Sequence, residues 1–366
     1  MKHALWLVLL LSAPLVAQDP GKGQRVYVSC GKAQEVQVFD LDPEGALSPR
    51  SKLALPGRPG AMALSPDRAR IYVAAAERKR GRGWIERIHT LRRLPAGRLE
   101  IEHSLELTGG RPTFLRVAGG FLLSASYGGG QVSVYALEQG RCTQRVARKT
   151  TAKKAHMVEV DPSGRFVFVP HTGPNAVYQL RFDPKTGALE PNDPPRVAGP
   201  EPGRDVHEPR HLRFHPRLPF AYSSNEHGGG ISAWRLDPKA GTLKLVQTLS
   251  TLPEGFQGKS SGAEVRITPD GRFAYVSNRD HRKQDPQDTL AVFAIDGEGG
   301  LRKAGHARCP HFPRAFSLDA KGERVLVAGQ RDHRLAVYRI AEDGALRELS
   351  RREVGEGPAW VLCVAD

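Results

Sequence analysis

Two short patterns alternate along this chain, and their repetition constrains the fold more than any other feature of the sequence. The first is a polar turn followed by an apolar strand, and it recurs at 65–74, 117–126, 160–169, 214–223, 267–276 and 318–327. A related strand, RVYVSC at 25–30, lacks the preceding turn. Successive copies lie roughly 45 to 55 residues apart, which is the spacing of four-stranded propeller blades.

The second pattern is a glycine-containing turn that usually starts with an acidic residue and ends in leucine. It occurs as DPEGAL (42–47), PAGRL (95–99), DPKTGAL (183–189), DPKAGTL (237–243), DGEGGL (296–301) and EDGAL (342–346), with a degenerate copy, EQGRC, at 138–142. Asp and Pro initiate such turns, and Gly supplies the positive φ angle that they require. The strict alternation of the two patterns predicts an inner and an outer hairpin turn in each of seven blades. The expected fold is therefore an all-β, seven-bladed β-propeller with four-stranded blades.

The first blade lacks an innermost strand at its N-terminal side. In the other blades an apolar strand precedes the turn, as in GAMALSP at 60–66, whereas nothing similar precedes Val26. The last residues, GPAWVLCVAD at 357–366, have the pattern of the missing strand. We therefore predict that 358–364 pairs with 25–30 and closes the ring, because closure removes exposed sheet edges.

The N-terminus has the pattern of a secretory signal peptide. Lys2 and His3 precede an apolar run from Ala4 to Leu11, and small residues follow up to Ala17. This run is too short to span a bilayer, although a retained membrane anchor is the alternative interpretation. We expect a signal peptide at 1–17, a single propeller domain at 18–366, no membrane span and export to the periplasm or the extracellular space.

The cysteine pattern and the charge exclude several classes of function. Cys30, Cys142, Cys309 and Cys363 have no spacing typical of zinc sites, and antiparallel pairing places Cys363 beside Val26, which favours four free thiols. The formal net charge of +15 is consistent with a solvated basic surface or with attraction of anionic ligands. The basic stretches at 77–87 and 147–156 lack interleaved aromatic residues for base stacking, so no nucleic-acid partner is expected.

Polar residues at one end of the innermost and second strands form the candidate site. In a propeller the innermost strands line a central channel, and the loops at one end carry the binding site. The innermost strands contribute His156, Arg210, His211, Glu264 and Arg314, and the second strands end with His171, Asn225, Glu226, Asn278, Arg279 and Gln330. Arginines, histidines and a glutamate on one rim predict an anion-binding pocket with an acid or base, although any one of them alone is more often structural.

Several ordered motifs carry a resemblance to a known family. They are H-x-x-x-V-D-P-S-G-R-F at 156–166, PRHLRFHP at 209–216, YSSNE at 222–226, ITPDGRFAYVSNR at 267–279 and PRAF at 313–316. Together they resemble the lactonase family of seven-bladed propellers, which contains the propeller-type 6-phosphogluconolactonases and the carboxymuconate lactonizing enzymes. The functional residues proposed for that family correspond to His156, Arg210, Glu226 and Arg279.

The chain departs from the family pattern around the expected pocket. Arg111-Pro112-Thr113-Phe114 stands where family members often carry Pro-Cys-His. Pro170-His171-Thr172-Gly173 stands where family members often have an acidic residue after the strand of blade four, and DHRKQDPQD at 280–288 is an insertion beyond Arg279. These departures, together with the expected export, leave the natural substrate open and argue against a phosphorylated sugar lactone of central metabolism.

The resemblance implies hydrolysis of an anionic or sugar-derived lactone. We expect a monomer that needs no metal or other cofactor. Such hydrolysis needs an activated water, a stabilised oxyanion and a proton for the leaving alkoxide. Glu226 or His156 is expected to act as the base, and Arg210 and Arg279 are expected to hold the oxyanion or a substrate carboxylate. The alternatives are an exported, non-enzymatic propeller that binds an anionic envelope ligand, and another enzyme class such as a cycloisomerase.

Overall fold

The computed structural model describes residues 23–81, 83–201 and 206–365, and this part of the chain is built almost entirely of β-strands. It contains 28 strands and one short 3₁₀ turn at Pro95–Gly97. Within these ranges no helix is long and apolar enough to cross a membrane. The predicted signal peptide at 1–17 lies outside the described residues.

The strands form seven antiparallel blades of four strands each, named in order from the innermost strand to the outermost. Blade 1 comprises Pro358–Ala365, Gln24–Cys30, Glu35–Leu41 and Leu47–Ala54. Blade 2 comprises Arg58–Leu64, Arg70–Lys79, Gly83–Arg93 and Leu99–Leu107. Blade 3 comprises Pro112–Ala118, Phe121–Ser126, Gln131–Glu138 and Arg141–Thr150.

The remaining blades follow the same order along the chain. Blade 4 comprises Glu159–Val160, Phe166–His171, Ala176–Phe182 and Leu189–Ala198. Blade 5 comprises His207–Phe214, Phe220–His227, Gly230–Asp237 and Thr242–Ser250, and a single bridge joins it to blade 6. Blade 6 comprises Ser260–Ile267, Phe273–Asp280, Thr289–Ile295 and Leu301–Arg308. Blade 7 comprises Pro313–Leu318, Arg324–Gly329, Arg334–Ile340 and Leu346–Glu353.

Both repeated turns adopt the predicted positions. Each outer turn joins the third and fourth strands of a blade and contains a glycine with a positive φ angle, at Gly45, Gly97, Gly140, Gly187, Gly241, Gly299 and Gly344. The inner turns join the first and second strands, and their polar residues accept backbone hydrogen bonds. Asp161, for example, accepts from the backbone N–H groups of Arg165 and Phe166. The alternating turns of the sequence therefore define the blades.

The repeated aromatic position of the second strand joins neighbouring blades. Tyr72, Tyr222 and Tyr275 are almost fully buried, and each donates its hydroxyl proton to a carbonyl oxygen in the outer turn of the next blade. Buried tyrosine retains a hydrogen bond at its polar end while its ring fills the space between the sheets. Leu123, Phe168 and Leu326 occupy the same position in other blades and are also buried.

The C-terminal strand is the innermost strand of the first blade. Pro358–Ala365 pairs antiparallel with Gln24–Cys30, and Cys363 lies opposite Val26. The same strand contacts the innermost strands of blades 2 and 7. All four cysteines are free thiols, in agreement with the sequence prediction, and no disulfide joins the described residues.

The innermost strands surround a central channel with two chemically different ends. We call the end at which these strands begin the site mouth, and it contains His156, Arg210 and Arg314. We call the end at which they finish the opposite mouth, and it contains Glu159 and Arg213. The chain direction alternates between adjacent strands, so second-strand ends also reach the site mouth.

Candidate functional site

A cavity of about 470 Å³ occupies the site mouth. Its polar and aromatic wall comprises Glu86, Arg111, Tyr127, His156, Arg210, His211, Arg314, Gln330 and Trp360. Blades 2, 3, 4, 5, 7 and the C-terminal strand of blade 1 all contribute to this wall. Of the residues predicted from the sequence, the cavity therefore brings together His156, Arg210, His211, Arg314 and Gln330.

A second cavity adjoins the first on the side of blades 5 and 6. It has a volume of about 590 Å³, and its wall includes Glu226, His227, Phe256, Lys259, Ser261, Arg279 and His281. The Glu226 carboxylate lies 2.7 Å from Arg279 Nη2 and 3.6 Å from Arg210 Nε. Glu226 is thus the ionic connection between the wall of one cavity and the wall of the other.

The surrounding arginines keep Glu226 ionised. Burial raises the pKa of Glu226, but the positive charges of Arg210 and Arg279 and the hydrogen bond from Arg279 lower it by more, so the net pKa lies below its usual value. Arg279 also donates to the carbonyl oxygen of Gly262 at 3.0 Å and lies over the Phe312 ring. The carboxylate is therefore an ion-pair partner that holds two guanidinium groups in place.

Two histidines and an arginine form a buried cluster beneath the first cavity. Arg210 Nη1 lies 2.8 Å from the carbonyl oxygen of Ala263 and 3.2 Å from His211 Nε2, which is in turn 3.2 Å from His156 Nδ1. Burial lowers the pKa of His211 to about 3. Burial and the charge of Arg210 also hold the pKa of His156 well below its usual value. Both imidazoles are consequently neutral at pH 7.

Glu264 lies below this cluster and does not line either cavity. The side chain is fully buried, with Oε2 3.2 Å from His211 Nδ1 and Oε1 3.4 Å from Arg213 Nη2. Burial raises the pKa of Glu264, but Arg266, His211 and Arg213 lower it far more, so the net pKa lies well below the usual range. The structure thus places Glu264 behind the histidines and away from the walls of the two cavities.

Arg314 has unused hydrogen-bonding capacity across its whole guanidinium group in the part of the chain that the structure describes. It lines the first cavity and makes no hydrogen bond or ion pair with the described residues. Burial and the neighbouring charge of Arg279 lower its pKa to about 10, which still leaves it protonated at pH 7. Arg111 also faces this cavity, where it interacts electrostatically with Glu86 and makes a long contact of 3.5 Å to the carbonyl oxygen of Arg58.

Three predicted site residues lie inside the blades. Asn225 donates to Ser232 Oγ, and Asn278 donates to the carbonyl oxygen of Thr251. His171 lies between the carbonyl oxygen of Val169 and the hydroxyl of Thr151. All three are buried, and none lines either cavity. Their hydrogen bonds hold strand ends together, and the three side chains lie behind the walls of the two cavities.

Other residues of the two cavities were not identified from the sequence. Trp360 lies in the C-terminal strand, whose apolar pattern indicated only ring closure, and Tyr127 packs edge-on against His156. Ser261 and His281 lie 20 positions apart in sequence, yet the Ser261 hydroxyl is 2.8 Å from His281 Nε2. No local motif marks this pair, because the pairing of two long strands brings it together.

Metal ligands are not clustered in the part of the chain that the structure describes. No group of three or more His, Cys, Asp or Glu side chains within it has an arrangement that could hold a metal ion. The polar groups at the site mouth are mostly guanidinium donors, which suit oxyanions and carboxylates.

Known proteins share both the sequence and the fold. A family model described as a lactonase, 7-bladed beta-propeller, matches residues 25–363. A 6-phosphogluconolactonase of Cronobacter sakazakii is 32% identical over 348 residues, which cover 93% of this chain and 98% of that protein.

Solved structures give the same assignment. The periplasmic gluconolactonase PpgL of Pseudomonas aeruginosa is 26% identical, with a TM-score of 0.82 over 94% of this chain and 99% of that one. A Lactobacillus plantarum protein that is 21% identical shares the fold, with a TM-score of 0.81 over 93% of this chain and 99% of its own. With its seven blades and its match over nearly the whole chain, the protein belongs to the lactonase family of seven-bladed β-propellers.

Proposed function

We propose that the protein is a lactone hydrolase that opens an anionic, sugar-derived lactone in the cavity of the site mouth. The observation that carries this proposal is one cavity wall that presents a neutral histidine, His156, together with an arginine, Arg314, that forms no ion pair or hydrogen bond with a described residue. The Cronobacter relative is named for hydrolysis of a phosphorylated gluconolactone, and the Pseudomonas neighbour for a gluconolactone. Both names support a lactone derived from a sugar acid.

Hydrolysis at this site follows the usual course of acyl transfer to water. A base takes a proton from water, the oxygen attacks the lactone carbonyl carbon, and the carbonyl oxygen becomes an oxyanion. The ring C–O bond then breaks, and the released alkoxide takes a proton, so that a hydroxy acid leaves. His156 in this cavity, or Glu226 on the wall of the adjoining cavity, supplies the base. The guanidinium donors of Arg210, or of Arg279 on the wall of the adjoining cavity, stabilise the developing oxyanion.

Arg314 supports a preference for substrates that carry a carboxylate or a phosphate. Arg210 and Arg279 already share the carboxylate of Glu226, whereas Arg314 has no such anion within bonding distance among the described residues. A substrate anion would make a charge-assisted hydrogen bond there, and the planar guanidinium fork suits both anions. Arg111 lines the same cavity and adds a second positive charge.

The experiment that tests the proposal is a panel of matched lactones. Acid release from glucono-1,5-lactone, its 6-phosphate and a lactone with a carboxylate substituent should be measured above the spontaneous rate. We expect turnover of at least one member, with kcat/KM higher for the anionic lactones than for the uncharged one. If no lactone is opened while an anionic envelope polysaccharide binds at the site mouth, the protein is a binding module and the proposal is wrong.

We also propose that the protein is exported after cleavage behind Ala17. The apolar run and small residues of 1–17 support this, as does the periplasmic location in the name of the Pseudomonas neighbour. N-terminal sequencing of protein from the native host should find Gln18 as the first residue. Soluble cytosolic protein that retains Met1 would contradict export and would make a cytosolic phosphorylated lactone the favoured substrate.

A further inference from the structure

We infer that Glu264 and His211 form a chain of buried polar contacts, the relay, that fixes the tautomer of His156, so that His156 Nε2 is the general base and Glu264 and His211 are its positioning residues. The inference rests on the proposed lactone hydrolysis and goes further, because it selects between the two candidate bases. It follows from the donor and acceptor roles in one buried chain of contacts that runs from Glu264 to the cavity.

The first step is the contact between Arg210 and His211. A guanidinium group has donors only and cannot accept a hydrogen bond. Arg210 Nη1 lies 3.2 Å from His211 Nε2, so this ring nitrogen accepts and carries no proton. A neutral imidazole holds its proton on one nitrogen, and for His211 that nitrogen must then be Nδ1.

The second step joins His211 to Glu264. His211 Nδ1 lies 3.2 Å from Glu264 Oε2. Both atoms are buried, and neither makes a hydrogen bond with a described residue, so the contact between them is electrostatic. The negative charge of the carboxylate favours the tautomer with the proton on Nδ1, because otherwise the Nδ1 lone pair would face that charge. Glu264 therefore holds His211 in the same tautomer that Arg210 requires.

In the third step, the tautomer of His211 determines which nitrogen of His156 carries the proton. His211 Nε2 carries no proton, so His156 Nδ1, at 3.2 Å, is the donor in this contact, carries the proton of its ring and shares the single Nε2 lone pair with Arg210. His156 Nε2 is left with its lone pair and makes no hydrogen bond within the described ranges, while the ring lines the cavity. The edge-on ring of Tyr127 and the His211 ring, with centroids 5.6 and 5.0 Å away, restrict its rotation.

The same contacts make Glu226 the weaker candidate for the base. Its carboxylate is occupied by Arg279 at 2.7 Å and by Arg210 at 3.6 Å, so protonation would disrupt two ion pairs. The positive charges of Arg210 and Arg314 also oppose proton uptake by His156. An anionic substrate that binds Arg314 would offset that repulsion. Binding of such a substrate should therefore raise the pKa of His156 and make it a stronger base.

The first test measures the tautomers directly and needs no substrate. Long-range nitrogen–carbon-proton correlation NMR of histidine-labelled protein distinguishes Nδ1–H, Nε2–H and doubly protonated rings. We expect both His156 and His211 to be neutral with the proton on Nδ1 at pH 7. A His156 ring that carries its proton on Nε2, or that is doubly protonated, overturns the relay whether or not any lactone is turned over.

The second test compares two variants of His211 in the full chain. His211→Gln retains a carbonyl oxygen that reaches the former Nε2 position, whereas His211→Phe has the ring shape and no acceptor. We expect His211→Phe to lower kcat on the order of 10²-fold with little change in KM, and His211→Gln to restore about tenfold of that loss. Equal losses in both variants, or a folded His211→Phe protein with the wild-type kcat, would overturn the positioning role.

These outcomes separate the relay from the proposed function. If both histidines have the expected tautomers but the protein opens no lactone, the relay is supported and the proposed lactone hydrolysis is wrong. If the protein opens lactones but His156 carries its proton on Nε2, the proposed function is supported and the relay is wrong. If His211→Phe does not fold, the tautomers in the wild type and in His211→Gln decide the question.

Discussion

The two ends of the central channel contain the same types of side chain but use them differently. At the opposite mouth, Glu159 lies 2.9 Å from Arg116 and 2.7 Å from Arg213, and Arg266 lies 3.6 Å from Glu264. Each of these arginines has a carboxylate partner. The charges at this end therefore neutralise one another in ion pairs within the protein, and these pairs link blades 3, 4, 5 and 6.

At the site mouth the pairing is incomplete. Glu226 pairs with Arg210 and Arg279, but Arg314 has no anion or acceptor among the described residues, and His156 Nε2 faces the cavity without a partner there. A count of arginines and glutamates would not distinguish the two ends. The comparison shows that a candidate site is recognised by donors and acceptors that the fold leaves unused, and not by its composition.

The largest effect is expected when one histidine at each end of the channel is replaced by glutamine and the two variants are compared. His156→Gln removes the unpaired ring nitrogen at the site mouth and should lower kcat by about 10²- to 10⁴-fold, the usual contribution of a positioned base. His215 belongs to the opposite mouth, and both of its ring nitrogens bond to backbone groups. His215→Gln is the matched control and should lower stability but leave turnover per folded molecule unchanged. Equal losses of kcat would show that the two ends do not differ in this way.

Removing a charge from the paired end should affect stability instead of turnover. Glu159→Gln leaves Arg213 and Arg116 without their shared partner, and the loss of one member of a buried pair costs about 3 kcal/mol. Urea unfolding should show this as a lower midpoint, while kcat/KM stays within about threefold of the wild type. A stable Glu159→Gln protein with impaired turnover would place function at the opposite mouth.

The repeated turns were sufficient to predict the fold because each repeat defines its own local structure. Gly45 and Gly344 lie about 300 residues apart, yet both occupy the positive-φ position of an outer turn as predicted. Even the pairing of Cys363 with Val26 followed from strand order and antiparallel geometry. These features depend on local turn chemistry and on the two-residue alternation of strands, which a single sequence displays directly.

The candidate site was predictable only in part, since its distinguishing property is long-range pairing. The motifs placed His156 and Arg314 at the correct mouth, but nothing in them shows that Arg314 lacks a partner while Arg213 reaches Glu159, 54 positions away. Asn225 has the same motif context as Glu226, yet its side chain turns into the blade. Side-chain direction and ion pairing across blades are set by packing, which neither spacing nor residue type determines.

A moderate effect on substrate binding should separate the unpaired arginine from a paired one. Arg314→Gln should raise KM for an anionic lactone by about tenfold or more, because a hydrogen bond to a charged group contributes roughly 1.5–3 kcal/mol. The KM for an uncharged lactone should change little. Arg116→Gln at the opposite mouth is the control, and it should leave both KM values unaltered. An equal rise for charged and uncharged lactones would show that Arg314 supports the cavity without binding the substrate anion.

The smallest effect should be the response of wild-type turnover to mild acid. Burial and the charge of Arg210 depress the pKa of His156 well below the ordinary histidine value near 6.5, and Arg314 lowers it further. A base acts when unprotonated, so activity is retained above the depressed pKa and is lost only as the pH falls through it. Between pH 8 and 6.5, kcat should therefore vary by less than about twofold.

The variants Arg314→Gln and Arg116→Gln also test whether the pKa of His156 is depressed, since a charge at the site mouth should affect this pKa and a charge at the opposite mouth should not. Arg314→Gln removes a positive charge beside the ring and should raise the pKa of His156, which moves the acidic limb of the kcat profile to higher pH. Arg116→Gln should leave that limb in place, because Arg116 lies at the far end of the channel. A wild-type limb centred near 6.5, or an equal shift in both variants, would mean that the titrating base is not His156 in this buried cluster.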